Sequence, residues 1–281
     1  MKSIASRLFP ERWRVVLCPD RVIVARLAGG LRPRVSGKDI VECTAPVSGP
    51  PWQASLAALE KILARSAPTK APAVVVLSSH FVRYAIVPWR DNVVADAERQ
   101  VLARHCFKSI YGDAVRNWNV QVSDDGFRCN AVASAVDGDL VVELNRLFTQ
   151  HGRELLSVEP YFMTVSNRFR RTLRTRGAAC VTMLENGRAI IGFFDRAGWQ
   201  ALTVRRLAQA SPDALLTLLT QEAQSVNIAP LPERLFVAAL EDPRMQLSAG
   251  EWPIRMLSLQ PRVGFSPFDD ARYAMALCGA A

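Results

Sequence analysis

The chain has 281 residues, with 35 Lys and Arg against 26 Asp and Glu, a net charge of +9, and 49% hydrophobic positions. That balance excludes a disordered tail and a coiled coil, and the length suits two lobes better than one, since single cores stop growing near ~250–300 residues. The longest apolar runs, such as 73–77 and 235–240, fall far short of the ~20 residues that cross a bilayer.

The N-terminal segment carries Lys2, Arg7, Arg12 and Arg14 around Leu8, Phe9 and Trp13, but no long apolar run with a small-residue cleavage site. Its expected location is the cytoplasm. Three short Val/Ile-rich runs, 14–17, 21–27 and 34–43, are separated by Cys18-Pro19-Asp20 and Ala28-Gly29-Gly30 and predict a three-stranded meander. Trp52, Leu56, Leu59 and Leu63 then recur at helical spacing, with Pro68 beyond the end. Residues 73–87 predict a long strand or hairpin closed by Pro88-Trp89. The segment 92–110 predicts a helix with Val94, Ala97, Val101 and Leu102 facing inward, stopped by Gly112-Asp113.

A hairpin is expected from 118–122 and 128–136 around Asp124-Asp125-Gly126. A helix over 139–150 follows, with Leu140, Leu144, Leu147 and Phe148 on one face, then a strand over 155–158 and a helix over 161–174. After Gly177 the opening pattern returns. Runs 179–184, 189–194 and 199–204 are separated by Glu185-Asn186-Gly187 and 195–198. Ser211-Pro212-Asp213 supplies an N-cap, a first-turn proline and an acid at the positive helix end. Strands over 234–239 and 254–259 and a closing helix over 269–281 complete the chain.

Two copies of meander, helix, strand and helix predict a duplicated α/β fold with a cleft between the copies, the architecture of actin, sugar kinases and Hsp70. The expected division is a first actin-like (ribonuclease H-like) lobe over 1–165 with an inserted subdomain around 90–136, a second lobe over 166–260, and a C-terminal helix over 261–281 packing back toward the first lobe.

Established catalytic patterns are missing from the sequence. His80, His105 and His151 form neither HExxH nor a His/Cys cluster, and there is no Walker loop, GxGxxG or GxSxG. No metal or cofactor is therefore expected. Six scattered cysteines without a CxxC pair read as reduced, structural thiols.

Within the actin-like superfamily the chain resembles PilM-like and MSHA-pilus (MshI-like) biogenesis proteins, which are related to the cytoplasmic part of the type II secretion protein GspL. The resemblance rests on the run from Leu77 to Trp89 (LSSHFVRYAIVPW), Ala103 to Phe107 (ARHCF) with Tyr111-Gly112, Ser157 to Pro160 with Asn167, and Tyr273 to Gly279 (YAMALCG). It implies a cytoplasmic adaptor, peripheral to the inner membrane, that holds the cytoplasmic tail of a bitopic PilN-like or GspM-like partner. Contact with a hexameric assembly ATPase and with the membrane surface belongs to the same expectation. Some members bind ATP, so the alternative is an actin-like ATP-binding protein whose nucleotide state gates docking.

The superfamily handles phosphate with an Asp-x-Gly hairpin in each lobe, the carboxylate orienting magnesium and the glycine letting backbone N–H groups approach. Here the first turn reads Cys18-Pro19-Asp20, where proline removes a donor. The second reads Thr182-Met183-Leu184-Glu185. Leu240-Glu241-Asp242-Pro243 stands where a glycine-rich adenosine loop would follow the strand 234–239. The expectation is a degenerate ATPase fold without catalysis.

For partner binding, two readings of each candidate stay open. Arg168, Arg171 and Arg174, in a run with Arg170 and Arg176, form either a helix stripe that attracts an acidic partner or lipid headgroups, or a solvated helix end. Tyr84, Trp89 and the helix bearing Arg99 either line a groove for an extended peptide or pack the lobe. Nucleic-acid binding is not expected, because the arginines are dispersed and no stacking motif accompanies them.

Overall fold

The computed structural model describes residues 11–30, 33–44, 48–66, 71–93, 95–123, 126–174, 177–207, 211–228, 232, 234–247 and 253–280. Lys2, Arg7, Leu8, Phe9, Pro68, Val94, Asp124, Asp125 and Arg176 lie outside the described residues. The first meander is β1 (Arg12–Leu17), β2 (Arg21–Ala28) and β3 (Arg34–Glu42). Helix α1 (Gln53–Arg65) buries Leu56, Leu59 and Leu63 and leads to β4 (Ala73–Leu77), which pairs parallel to β1.

Beyond β4 the chain leaves the sheet. β5 (Val82–Val87) pairs instead with β7 (Ala131–Asp137), which also takes β6 (Trp118–Val122), making a separate three-stranded antiparallel sheet β5-β7-β6. The expected strand or hairpin over 73–87 is thus two strands in two sheets, parted by a turn closed by Phe81 N–H donating to Ser78 O. The inserted unit accordingly starts with β5, ahead of residue 90.

Helix α2 (Asp96–Tyr111) covers this sheet through Ala103 and Phe107, with Leu102 half-buried against them as expected; Ala97 and Val101, expected on the same face, are exposed, Val101 at 69%. Gly112, at φ +62, ends α2, and a 3-10 turn (Gly112–Asn117) delivers the chain to β6. Helix α3 (Gly138–Gln150), capped by the Asp137 carboxylate accepting from Asp139 N–H, leads to β8 (Leu155–Pro160) beside β4.

The first sheet therefore runs β3-β2-β1-β4-β8, and the second lobe repeats it. β9 (Ala179–Glu185), β10 (Arg188–Asp195) and β11 (Gly198–Arg206) form an antiparallel meander; α6 (Pro212–Ser225) then leads to β12 (Arg234–Ala238), parallel to β9, and β13 (Ile254–Met256), parallel to β12. The order β11-β10-β9-β12-β13 matches the first sheet strand for strand. Ser211 caps α6, its hydroxyl accepting from Ala214 N–H at 3.2 Å, as the Ser-Pro-Asp pattern predicts.

Between the lobes the expected helix over 161–174 is two pieces, α4 (Tyr161–Arg168) and α5 (Arg170–Leu173), broken at Phe169. The closing helix is shorter than expected: a 3-10 turn (Ala271–Tyr273) and α7 (Ala274–Cys278). One apolar core runs from the first sheet through α4 and α7 to the near face of the second sheet, joining Val15, Leu77, Phe162 and Met275 with Val181 and Phe236. All six cysteines are free; burial raises the Cys180 and Cys278 thiols to about 12 and keeps them protonated.

α7 is held by a cation inside the core. Arg14 of β1, 6% exposed, donates through Nε to Ala276 O at 2.7 Å and through Nη1 to Gly279 O at 3.3 Å, and pairs with Glu159 at 3.4 Å. These are carbonyls that a helix end leaves without intrahelical donors. A Cβ on residue 279 would stand 2.5 Å from the Arg14 guanidinium and 2.7 Å from Thr164, so glycine is the residue that lets the arginine reach. Arg14→Met should cost about 2–3 kcal/mol, because the two carbonyls lose their donor in a dry site. Chemical denaturation checks this, with Arg12→Met on the exposed end of the same strand expected to cost under about 0.5 kcal/mol.

Candidate functional site

Two grooves compete for the role of functional site: the cleft between the two meanders, and a channel beside the inserted sheet. In the cleft, the first hairpin turns on Pro19-Asp20 and the second on Asn186-Gly187. Pro19 offers no N–H. Its carbonyl faces the Cys43 thiol at 3.7 Å, and Cys18 O accepts from the Ser55 hydroxyl at 2.5 Å, which ties the turn to α1. Asp20 accepts from Arg21 at 3.0 Å and from Asn186 Nδ2 at 3.3 Å, so the two hairpins touch tip to tip. Arg21 also pairs with Glu241, of the segment after β12, at 2.6 Å.

The second hairpin corrects the sequence reading. Thr182 is not in the turn; it lies in mid β9, wholly buried, 3.7 Å from the Cys180 sulfur. Glu185-Asn186-Gly187, with Gly187 at φ +70, keeps an acid and a glycine two positions apart, nearer the Asp-x-Gly pattern than expected. The carboxylate, however, is aimed at the first lobe. Its side chain is 2% exposed, and it accepts from the Ser78 hydroxyl and from Ser79 N–H at 3.0 Å, with His80 Nδ1 3.6 Å away.

The Ser78 hydroxyl has one proton and gives it to Glu185, so His80 Nδ1 must carry the proton of the 3.0 Å contact to Ser78 Oγ. Burial pushes the Glu185 carboxyl up, but the donors from His80, Ser78 and Ser79 outweigh it and hold the group below its ordinary value. A cavity of about 370 Å³ remains between the hairpins, lined by Glu185, Glu241 and Asp242 as well as Arg21, Arg188 and Arg272. Among the described residues no three His, Cys, Asp or Glu side chains converge as a metal site requires.

The second groove is larger, about 690 Å³, with a continuous extension of about 340 Å³. Its walls are β6 and β7 of the inserted sheet, the end of β8, helices α4 and α5, and the β10–β11 turn. Gln121, Ser134, Val158 and Pro160 line both parts. β8 is the outer strand of the first sheet and β6 the outer strand of the inserted sheet, so two sheet edges border one channel. Apolar floor comes from Val132, Met163, Leu173 and Trp199, and cations from Arg170, Arg174 and Arg196.

The sequence-predicted partner residues divide accordingly. Arg174 lines the channel; the break at Phe169 puts Arg170 there with it, while Arg171 is exposed outside it and Arg168, the last residue of α4, lies near Arg262 and Cys278. They do not form one stripe. Tyr84 is 7% exposed and packs edge-on against Phe162, with rings 5.7 Å apart, and burial pushes its phenol up; it packs the lobe and lies outside the channel.

Trp89 and Arg99 do lie together, but around a cavity of about 10 Å³, too small for a side chain. Arg99 donates to Ser123 O at 3.1 Å, and Trp89 packs against Phe127, which is 76% exposed. Gln121, Ser134 and Met163 were not singled out from the sequence, since they come from three elements with no shared spacing; Val158 entered only within the Ser157 to Pro160 run, with no role given to it. Phe127, an apolar residue directly after a turn glycine, was the one addition a local signal offered.

No protein family and no curated protein matches the chain by sequence. Solved structures do resemble it. The PilM–PilN type IV pilus biogenesis complex aligns with 96% of this chain and 96% of its own at TM-score 0.62 and 12% identity. The cytoplasmic domain of EpsL, an inner membrane component of the type II secretion system of Vibrio cholerae, aligns with 89% and 90% at 0.58 and 13%. A Bacteroides thetaiotaomicron protein of unknown function with an actin-like ATPase fold aligns with 85% of each chain at 0.55 and 9%. The chain has the actin-like fold in the form that PilM and EpsL take.

The buried Glu185 predicts a pH dependence. Its folded value lies below the unfolded one, so its contribution is fully present above the unfolded carboxylate range and is lost as pH falls through the folded value. Glu185→Gln should therefore be less stable than the parent by about 1–3 kcal/mol near neutrality and equal to it in acid. Denaturation of both proteins across that range checks the sign; a constant gap at every pH would show that the carboxylate charge contributes nothing.

Proposed function

We propose that the chain is a non-catalytic cytoplasmic adaptor of an inner-membrane assembly platform, of an MSHA-like type IV pilus or of a type II secretion system. It works by docking the cytoplasmic tail of a bitopic membrane partner of the PilN or GspM kind. The observation that carries this reading is the channel bordered by two sheet edges, β8 and β6. An extended peptide laid there can hydrogen-bond to an unpaired edge and place alternate side chains on the apolar floor. The fold supports the assignment through its likeness to PilM, which was solved with PilN, and to EpsL.

The cleft supports the non-catalytic part. Pro19 gives no backbone donor, Asp20 is engaged by Arg21 and Asn186, Glu185 is committed to Ser78 and Ser79, and Glu241 and Asp242 place negative charge where a triphosphate would have to lie. Arg168 and Arg171, facing away from the channel, suit contact with a hexameric assembly ATPase or the membrane surface. One observation favours the second reading, an ATP-binding protein whose nucleotide state gates docking: the acid-x-glycine order of Glu185-Asn186-Gly187.

Calorimetry separates the two. Mg-ATP should give no heat that depends on Asp20 or Glu185; micromolar binding lost on Asp20→Ala or Glu185→Ala would replace the adaptor with the nucleotide-gated protein. Synthetic tails of the PilN-like and GspM-like proteins from the same genome should bind. Gln121→Trp, at an exposed channel position, should weaken that binding by about tenfold, while Arg171→Glu outside the channel leaves it unchanged. Binding indifferent to Gln121→Trp would remove the channel from the mechanism.

A further inference from the structure

A third surface lies apart from the channel. On the second sheet, β10 and β11 pair so that Arg188 stands directly opposite Arg206. Like charges facing each other on one ladder destabilise a sheet. Arg83 of β5 and Arg205 of β11 join them around a cavity of about 410 Å³, and no acidic residue lines it.

Two neighbouring acids already have partners. Glu222 of α6 pairs with Arg205 at 2.6 Å. Glu185, opposite Arg188 on the β9 side, is held by Ser78, Ser79 and His80. Among the described residues, Arg188 and Arg83 donate only to main-chain carbonyls, Arg188 to Ser79 O at 3.3 Å and Arg83 to Val82 O at 3.2 Å and His80 O at 3.5 Å. Arg206 has no hydrogen bond or ion pair among the described residues. Burial, then Arg83 and Arg206 on either side, lower the Arg188 guanidinium from its ordinary value, with Glu185 opposing them.

We propose that Arg83, Arg188 and Arg206 form a metal-independent site for a multivalent phosphoanion, a pyrophosphate or the phosphate chain of a larger ligand. Three guanidinium forks at one mouth present planar pairs of N–H donors matched to phosphate oxygens. A single carboxylate would neutralise one of the three charges, whereas a pyrophosphate spreads its charge over oxygens that all three can reach. Ile110 and Tyr111, at the end of α2, form an apolar wall of the same cavity, against which the remainder of such a ligand can lie.

The test is titration calorimetry of the full chain with inorganic pyrophosphate in buffer containing EDTA, alongside thermal melting with and without the anion. Pyrophosphate should bind and raise the melting temperature. Arg206→Glu should weaken binding by about tenfold or more while leaving the free protein as stable or more so, because an opposite-charge pair with Arg188 replaces a like-charge one. Arg83→Gln, which leaves the β10–β11 ladder untouched, should also weaken binding by about tenfold. No heat at millimolar pyrophosphate, a strict requirement for magnesium, or unchanged affinity in both variants would overturn the proposal. Sedimentation with phosphatidylglycerol vesicles is the remaining arm: vesicle binding abolished by Arg206→Glu, without pyrophosphate binding, would reassign the cluster to lipid headgroups and overturn it equally.

Discussion

A carboxylate sealed between two lobes must find its donors across the seam. Removing an ion from water costs several kcal/mol, and Glu185 recovers this only because the turn after β4 presents Ser78, Ser79 N–H and His80 to it. The same turn takes the chain out of the first sheet and into the inserted one. One interaction therefore joins three features: the closed approach of the lobes, the departure of β5 from the sheet of β4, and the inward aim of a hairpin that in an actin-like fold is the place for phosphate chemistry. Asp20, Arg21, Asn186 and Glu241 extend the seam with contacts between hairpin tips.

Closing the fold at that seam leaves its open space elsewhere. Sheet edges are ordinarily short, charged or covered, since unpaired N–H and C=O groups recruit other strands. β8 and β6 instead border a common channel with an apolar floor.

Turn chemistry made the duplication legible. Cys18-Pro19-Asp20 and Glu185-Asn186-Gly187 mark corresponding corners by local rules alone, Ser211-Pro212-Asp213 marks the start of α6, and the two sheets share one strand order. The split between β4 and β5 was not legible: Ser78-Ser79-His80-Phe81 contains neither glycine nor proline, and apolar residues on both sides read through it. The buried face of α2 was misjudged because its apolar residues do not form a stripe, and burial at Ala103 and Phe107 is set by the sheet beneath. The arginine run over 168–174 read as one helix face, yet a single break at Phe169 sends Arg170 and Arg174 to the channel and leaves Arg171 outside. The channel itself is assembled from residues far apart in sequence, which no spacing rule can collect.

The surplus of nine positive charges is thus not one property but several. Arg14 is structural, since it is buried and its donors meet two helix-end carbonyls and the half-exposed Glu159 carboxylate. Arg21 and Arg205 each have a carboxylate partner at 2.6 Å. Arg188 and Arg206 differ in kind: they face each other, and no acid lines the cavity they share. A cation with its counter-charge in place explains itself by stability. Cations set opposite one another lower stability, and their arrangement makes physical sense when an anion from outside the chain completes it.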